Sequence, residues 1–234
     1  MDILIEYCRN LNIDLNNKQL SKLSAYMEIV LEWNEKMNLT SITDREEFIV
    51  KHFCDSLSLP GYLDIPKDAS VIDIGTGAGF PAIPLLIARP DLKITMLDSL
   101  NKRMMFIKEQ VLSPLDLDAE VIHGRAEDFS KMPQYRQKFD VAVSRAVANL
   151  SALCEYCIPF VKVGGVFASM KSLNYSEEAA DADNAITLLG GILSDVYEYN
   201  LPDNSGRSIL VIDKISDTPN KYPRKGVKIK KNPL

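Results

Sequence analysis

From residue 66 onward the chain changes its hydrophobic rhythm, and that change limits the fold more than any other feature. Short runs rich in valine and isoleucine alternate with stretches of helical period, the pattern of a parallel sheet whose strands are joined by crossover helices. The spacing predicts strands over Ser70–Ile74, Lys93–Asp98, Glu120–His123, Phe139–Ser144, Val166–Lys171, Ile192–Tyr199 and Ser208–Asp213. Only "NLPDNSGR" separates the last two. That is too short for a crossover helix, so they are expected to form a hairpin and put one antiparallel strand into an otherwise parallel sheet.

Before residue 66 the pattern is helical. From Lys18 to Met37 the residues Leu20, Leu23, Met27, Val30, Leu31 and Met37 recur at helical spacing, and Asn16 with Gln19 three places on gives a helix-start signal. A second helix is expected to begin around Thr43–Asp44, with Thr43 and Glu46 at capping-box spacing. It would bury Phe48, Ile49, His52 and Phe53 before "LPGYLDIP" breaks it. The chain therefore divides into a helical extension, 1–65, and an α/β unit with a basic tail, 66–234.

With 46% hydrophobic and 25% charged residues, a packed body is expected and a disordered chain is not. The four cysteines, Cys8, Cys54, Cys154 and Cys157, are too few for a disulfide framework and suit a reducing compartment. The start "MDILIEYCRN" lacks a basic, then apolar, signal pattern, and nowhere do ~18 apolar residues run together. Neither secretion nor a membrane span is expected. A net charge of −5 argues against a nucleic-acid partner, yet after Asp217 there is no acid, while Lys221, Arg224, Lys225, Lys228, Lys230 and Lys231 crowd the end. That tail reads either as a solvated end or as an arm for a polyanion such as RNA.

Gly75, Gly77 and Gly79 follow the first strand and precede a helix for which Pro81 suits the first position. Glycines there let the backbone turn tightly and approach a ligand. The loop is ambiguous: from Gly75 it reads G-x-G-x-G, a methyl-donor loop, and from Gly77 it reads G-x-G-x-x-A, which a dinucleotide fingerprint also accepts. Asp98, at the end of the second strand, can accept hydrogen bonds from an adenosine ribose, which NAD and S-adenosylmethionine share. In "HGRAEDF", Glu127 or Asp128 can take an adenine amino group while the backbone at Ala126 closes on the ring; a plain acidic surface turn is the simpler alternative. The terminal hairpin favours a class I methyltransferase over a nicotinamide domain.

Seven blocks then stand in order over nearly the whole chain: "WNEKMNLTSI", "KHFCDSL", "DIGTGAGFPAIPL", "LDSLNKRMMF", "RAEDF", "SRAVANL" and "YPRKGVKIKKNPL". Together they resemble the rRNA small-subunit methyltransferase G family, also called glucose-inhibited division protein B. The resemblance implies a class I S-adenosylmethionine-dependent methyltransferase, Rossmann-like, with a seven-stranded mostly parallel sheet and a terminal antiparallel hairpin. It further implies a bacterial cytoplasmic enzyme that uses S-adenosyl-L-methionine to methylate N7 of one guanosine in 16S rRNA of the small ribosomal subunit. By motif match its cofactor contacts fall on Gly75, Phe80, Ala126, Glu127 and Arg145, beside Gly77 and Asp98 of the loop-and-ribose reading. Ala82 and Ser172 stand where the family commonly has glycine, which touches local backbone shape only.

The fourth strand ends in "SRAVAN", not in the Asp/Asn-Pro-Pro-aromatic signature used on exocyclic amines. Carbon methylation needs an activated cysteine, whereas Cys154 and Cys157 lie among Leu153, Ile158 and Phe160 and read as core thiols. Guanine N7 fits what remains, because its in-plane lone pair attacks a sulfonium methyl without a general base; alignment and exclusion of water are the enzyme's work. Arg145 is then a clamp on the cofactor's carboxylate or an RNA phosphate. Lys102, Arg103, Lys171, Arg224 and Lys225 are the expected RNA contacts, or ordinary solvated charges. His52, Asp55 and Ser56 either pack over the cofactor mouth or form a satisfied buried cluster, and His123 has no evident partner. No metal site is expected, and with no coiled coil a monomer is. The competing readings are a nicotinamide oxidoreductase, a small-molecule methyltransferase and a non-enzymatic RNA-binding module.

Overall fold

The computed structural model describes residues 1–145 and 148–234. Helices α1 (Asp2–Asn10) and α2 (Asn17–Met37) are followed by the turn α3 (Arg45–Phe48), which widens through a π-helical stretch, Ile49–Cys54, into α4 (Asp55–Tyr62). Then come β1 (Ser70–Ile74), α5 (Ala82–Ala88), β2 (Lys93–Asp98), α6 (Asn101–Phe106), β3 (Glu120–His123), α7 (Ala126–Phe129) and β4 (Phe139–Arg145). The remainder is α8 (Leu150–Cys157), β5 (Val161–Ser172), α9 (Ser176–Leu188), β6 (Gly191–Asn200), β7 (Gly206–Lys214) and α10 (Gly226–Lys231). The strands form one sheet in the order β3-β2-β1-β4-β5-β7-β6. β1 to β5 pair in parallel, and β7 runs antiparallel to both β5 and β6, so the expected hairpin is present and the Rossmann-like methyltransferase topology stands.

Alternate strand residues are buried on opposite faces, which is why these strands read as continuous apolar runs. Val71 and Met96 join α1, α2, the α3–α4 segment and α5 on one face, while Ile72, Leu97 and Phe167 join α8 and α9 on the other. The N-terminal helices thus share one hydrophobic core with the sheet. Asn16 caps α2 through the reciprocal pair with Gln19 that the spacing predicts. The Gln19 amide also donates to the carbonyls of Ile87 and Ala88 at the end of α5, 3.0 Å each. One side chain therefore closes two helix ends.

Four expectations need correction. The cap before α3 is Asp44, whose carboxylate accepts from Glu47 N at 2.8 Å, one residue beyond the Thr43–Glu46 pair; a carboxylate reaches the amide three residues on with the same spacing. Pro60 lies inside α4 instead of ending it. It occupies the last turn, where Leu63 N still bonds Leu59 O at 2.9 Å, and buried Leu57 and Leu59 hold the turn in place. β5 begins at Val161, not Val166, because a bulge against β4, with Gly164 at φ +84°, absorbs extra residues and lets pairing resume at Val141–Val166. Pro81 precedes α5 as its cap rather than opening it.

Candidate active site

The strand order reverses at β1, where β2 lies on one side and β4 on the other, and such a switch point leaves a crevice beyond the carboxyl ends of the strands. A cavity of about 600 Å³ opens there, within the range of small-molecule sites. Gly75 after β1, Asp98 ending β2, Ala126 and Glu127 opening α7, and Arg145 ending β4 all line it. Residues from four separate segments of sequence thus face one space. Gly77 and Phe80 do not line it.

The loop shows how its glycines divide their work. Gly75, Gly77 and Gly79 have φ of 76°, 62° and 111°, all in the region glycine favours. A Cβ on Gly79 would lie 2.6 Å from Ile83 Cγ1 and 2.9 Å from Tyr26 Oη, so this glycine answers to helix packing. On Gly77 the nearest atom would be 4.0 Å away, so only its backbone angle requires glycine. Tyr26 of α2 donates its hydroxyl to Ala78 O at 2.8 Å, tying the helical extension to the loop. The amides are mostly engaged within the protein: Gly75 and Thr76 donate to Leu97 O, Gly77 to Asp98 Oδ2, and Gly79 and Phe80 to Thr76 O. A loop with its amides so occupied offers no nest for a pyrophosphate.

Asp98 is buried, accepting from Gly77 N at 3.0 Å and from Leu100 N at 2.9 Å, with Arg103 at 3.6 Å. It keeps lone pairs for further donors, as a ribose requires. Glu127 is buried beside it across the cavity, whereas Asp128 is exposed; among the described residues no donor engages the Glu127 carboxylate, and of the two acids only this one faces the cavity. Asp73, which the sequence reading passed over, is fully buried under the loop. It accepts from Thr76 Oγ1 at 2.6 Å and Ala82 N at 3.3 Å, its Oδ1 has no partner among the described residues, and burial pushes its carboxyl up to about 7.

Phe80 lies behind the loop, stacked on His52 at 4.3 Å and packed on Tyr26 and Phe48. Arg145 sits over the same ring at 5.1 Å. Its guanidinium donates to Asp55 Oδ2 at 3.0 Å, Lys51 O at 3.2 Å and His52 Nδ1 at 3.1 Å. Since Nδ1 accepts, the network assigns the ring proton to Nε2, 2.9 Å from Thr40 Oγ1. Burial, and secondarily Arg145, hold His52 down at about 3. Asp55 takes further contacts from Tyr199 Oη at 3.1 Å and Arg207 at 3.7 Å. The buried polar cluster read as the simpler alternative is what forms, except that Ser56 Oγ finds no partner among the described residues. Ala146 and Val147 of "SRAVANL" lie outside the described residues.

The basic residues separate sharply. Lys102 and Lys225 are exposed. Lys171 is spent internally on Ala148 O at 2.6 Å and Glu178 at 2.7 Å. Arg224 is spent too, held by the fully buried Glu155. The tail is therefore folded and not a loose arm: Tyr222 and Ile229 are buried, and Lys230 and Pro233 reach the cavity wall. Glu155, an acid in the otherwise apolar "LCEYC", carried the one sequence signal that could have exposed this. Cys154 and Cys157 are buried and free, with burial pushing both thiols up, as expected of core residues. His123 finds Ser99 O at 3.2 Å. No metal-holding group of His, Cys, Asp and Glu occurs among the described residues.

Solved structures share the fold. TrmN from Thermus thermophilus superposes with a TM-score of 0.51 at 16% identity over 68% of this chain and 48% of that one. M. jannaschii TYW2 in complex with AdoMet gives 0.51 at 12% identity, covering 64% and 70%. Sequence relatives are far nearer. The protein named Ribosomal RNA small subunit methyltransferase G of Acetivibrio thermocellus is 48% identical over 99% of this chain and 96% of its own. That of Alkaliphilus metalliredigens is 49% identical over 99% and 98%. The model of GidB, rRNA small subunit methyltransferase G, matches residues 19–205, a span running from the first turn of α2 through every lining segment of the cavity except the tail. With that match and near-half identity over its whole length, the chain belongs to the rRNA small subunit methyltransferase G family.

Proposed function

We propose that the protein transfers a methyl group from S-adenosyl-L-methionine to N7 of a guanosine in 16S rRNA of the small ribosomal subunit. Family membership supports the reaction. The observation that carries the cofactor is the cavity's chemistry: buried Asp98 and Glu127 face it, while the glycine-loop amides are turned inward. A dinucleotide needs amides for its pyrophosphate; an adenosyl sulfonium needs acceptors for its hydroxyls and amine. When bound, the cofactor supplies an electrophilic methyl group on sulfur.

The residues present fit that ligand. Asp98 receives the ribose hydroxyls, Glu127 the purine amine beside the Ala126 backbone, and Gly75 leaves room for the amino-acid portion. Gly77 and Phe80 act from behind, the first by giving its amide to Asp98 and the second by seating the loop on the helical extension. Arg145 fixes the wall near the acceptor, since its fork is already held by Asp55, His52 and Lys51 O. No proton has to be removed from guanine N7, so these side chains contribute alignment and exclusion of water, not acid–base chemistry. For the RNA, exposed Lys102, Lys225, Lys228, Lys230 and Lys231 are the contacts, in place of Arg103, which pairs with Asp98, and of Lys171 and Arg224.

No helix among the described residues is long and apolar enough to cross a membrane. The reading has the enzyme act as a cytoplasmic monomer on the small subunit or its RNA. Calorimetry should find S-adenosylmethionine and S-adenosylhomocysteine bound and NAD not, with Asp98→Ala and Glu127→Ala each weakening both by about tenfold or more. Labelled-methyl transfer to isolated small subunits, naked 16S rRNA and free nucleosides then identifies the acceptor. Tight NAD binding, or transfer to no RNA, sinks the proposal.

A further inference from the structure

The C-terminal segment is docked in a way the reaction can use. Arg136 donates to the carbonyls of Thr218 at 2.7 Å and Tyr222 at 3.1 Å. Arg224 then grips Glu155 with its backbone amide at 2.6 Å, Nε at 2.9 Å and its terminal nitrogen at 2.6 Å. Ile229 of α10 is fully buried, and Lys230 and Pro233 form part of the cavity wall. Gly226, where α10 starts, abuts the carboxylate of Glu127: a Cβ there would lie 1.9 Å from Oε1 and 2.9 Å from Cδ. Gly226 does not have a positive φ, so its backbone does not demand glycine. What glycine supplies is space for that carboxylate.

We propose that the segment Tyr222–Leu234 is a wall of the cofactor cavity in which Gly226 is a specificity-determining position that sets the Glu127 carboxylate toward the purine, with Arg224 as the positioning residue that docks the segment on Glu155. The inference rests on the reading that the cavity takes an adenosyl cofactor with its purine at Ala126 and Glu127. The displaced group in Gly226→Ala is the free end of a flexible side chain, not backbone. The fold therefore survives the substitution and the carboxylate moves.

The test compares S-adenosylhomocysteine with its analogue in which hydrogen replaces the purine 6-amino group, by calorimetry on the full chain. The wild type should prefer the amino-bearing ligand by about tenfold, the worth of one good hydrogen bond to a carboxylate. Gly226→Ala and Glu127→Gln should cut that preference to about twofold or less, while Gly226→Ala melts within about 2 °C of the wild type. Arg224→Ala should lose the preference as well and free the docked tail for cleavage by trypsin, and Arg224→Lys should recover part of both. A merely structural role would weaken the two ligands equally and leave their ratio untouched. If the wild type binds neither ligand, the cofactor reading and this inference fall together. If it binds with the expected preference and Gly226→Ala keeps it, the inference alone is overturned.

Discussion

Two arginine–carboxylate pairs, each with a buried acid, hold segments that line the cavity, and they are built differently. In one, Arg145 and Asp55 belong to a network: Arg145 also holds His52 and Lys51 O, while Asp55 also receives Tyr199 and Arg207. In the other, Glu155 is 0% exposed and, among the described residues, takes its hydrogen bonds from Arg224 alone. A shared network redistributes when one member is lost, whereas an exclusive pair leaves a bare charge in the interior. The first pair can share the loss of a member among its neighbours, whereas the second, together with Arg136, fastens the tail.

Removing the exclusive partner is the strongest challenge to this contrast. Arg224→Ala should cost about 3–5 kcal/mol, because Glu155 is left fully buried and unpaired, and urea melts would measure it; a loss of about 1 kcal/mol or less would erase the distinction. Asp55→Asn should cost less, about 2 kcal/mol, since Arg145 keeps His52 Nδ1 and Lys51 O.

Acid sharpens the comparison, because His52 bonds to the networked pair. Its folded pKa is held at about 3 against an ordinary 6.5, so below 6.5 the unfolded chain binds the extra proton and stability falls as pH drops toward 3. Asp73 has the opposite sign. Raised to about 7 from 3.8, it keeps its proton in the folded state, so its contribution is full below 3.8 and is lost as pH rises toward 7. The two slopes oppose each other between about 4 and 6.5. Against the wild type, His52→Gln should therefore tilt stability toward acid and Asp73→Asn toward neutral pH, by about 1–2 kcal/mol across pH 5 to 6.5. Melts in which neither variant changes the slope would deny both assignments.

The smallest effect concerns the outer face of the tail. Lys225→Ala with Lys228→Ala should leave stability within about 0.5 kcal/mol while flattening the salt dependence of 16S rRNA binding by about one unit per lost phosphate contact. An unchanged slope would remove those lysines from the RNA face.

What could be read beforehand follows the range over which each signal acts. Strand positions, the α2 cap and the loop glycines obey rules spanning a few residues, and all stand within a residue or two of where the pattern puts them, β5 excepted. The resemblance also marked Gly75, Ala126, Glu127 and Arg145, which line the cavity together with Asp98. Glu155 in "LCEYC" and Asp73 under the loop escaped because nothing local distinguishes a buried acid from a solvated one. Arg224 was misjudged for the same reason, its partner being 69 positions away, and Phe80 turned out to serve from behind the loop.

By itself the sequence determined the order of strands and helices, the hairpin, and the turn that opens beside β1, because backbone propensity and hydrophobic period are written in neighbouring residues. Only the tertiary structure decided which charges are spent inside and which stay free: Arg145 finds Asp55, 90 positions away, and the basic tail finds Glu155. The reason is physical. A charged side chain's role depends on its solvation and its nearest opposite charge, and both are set by packing across the whole chain.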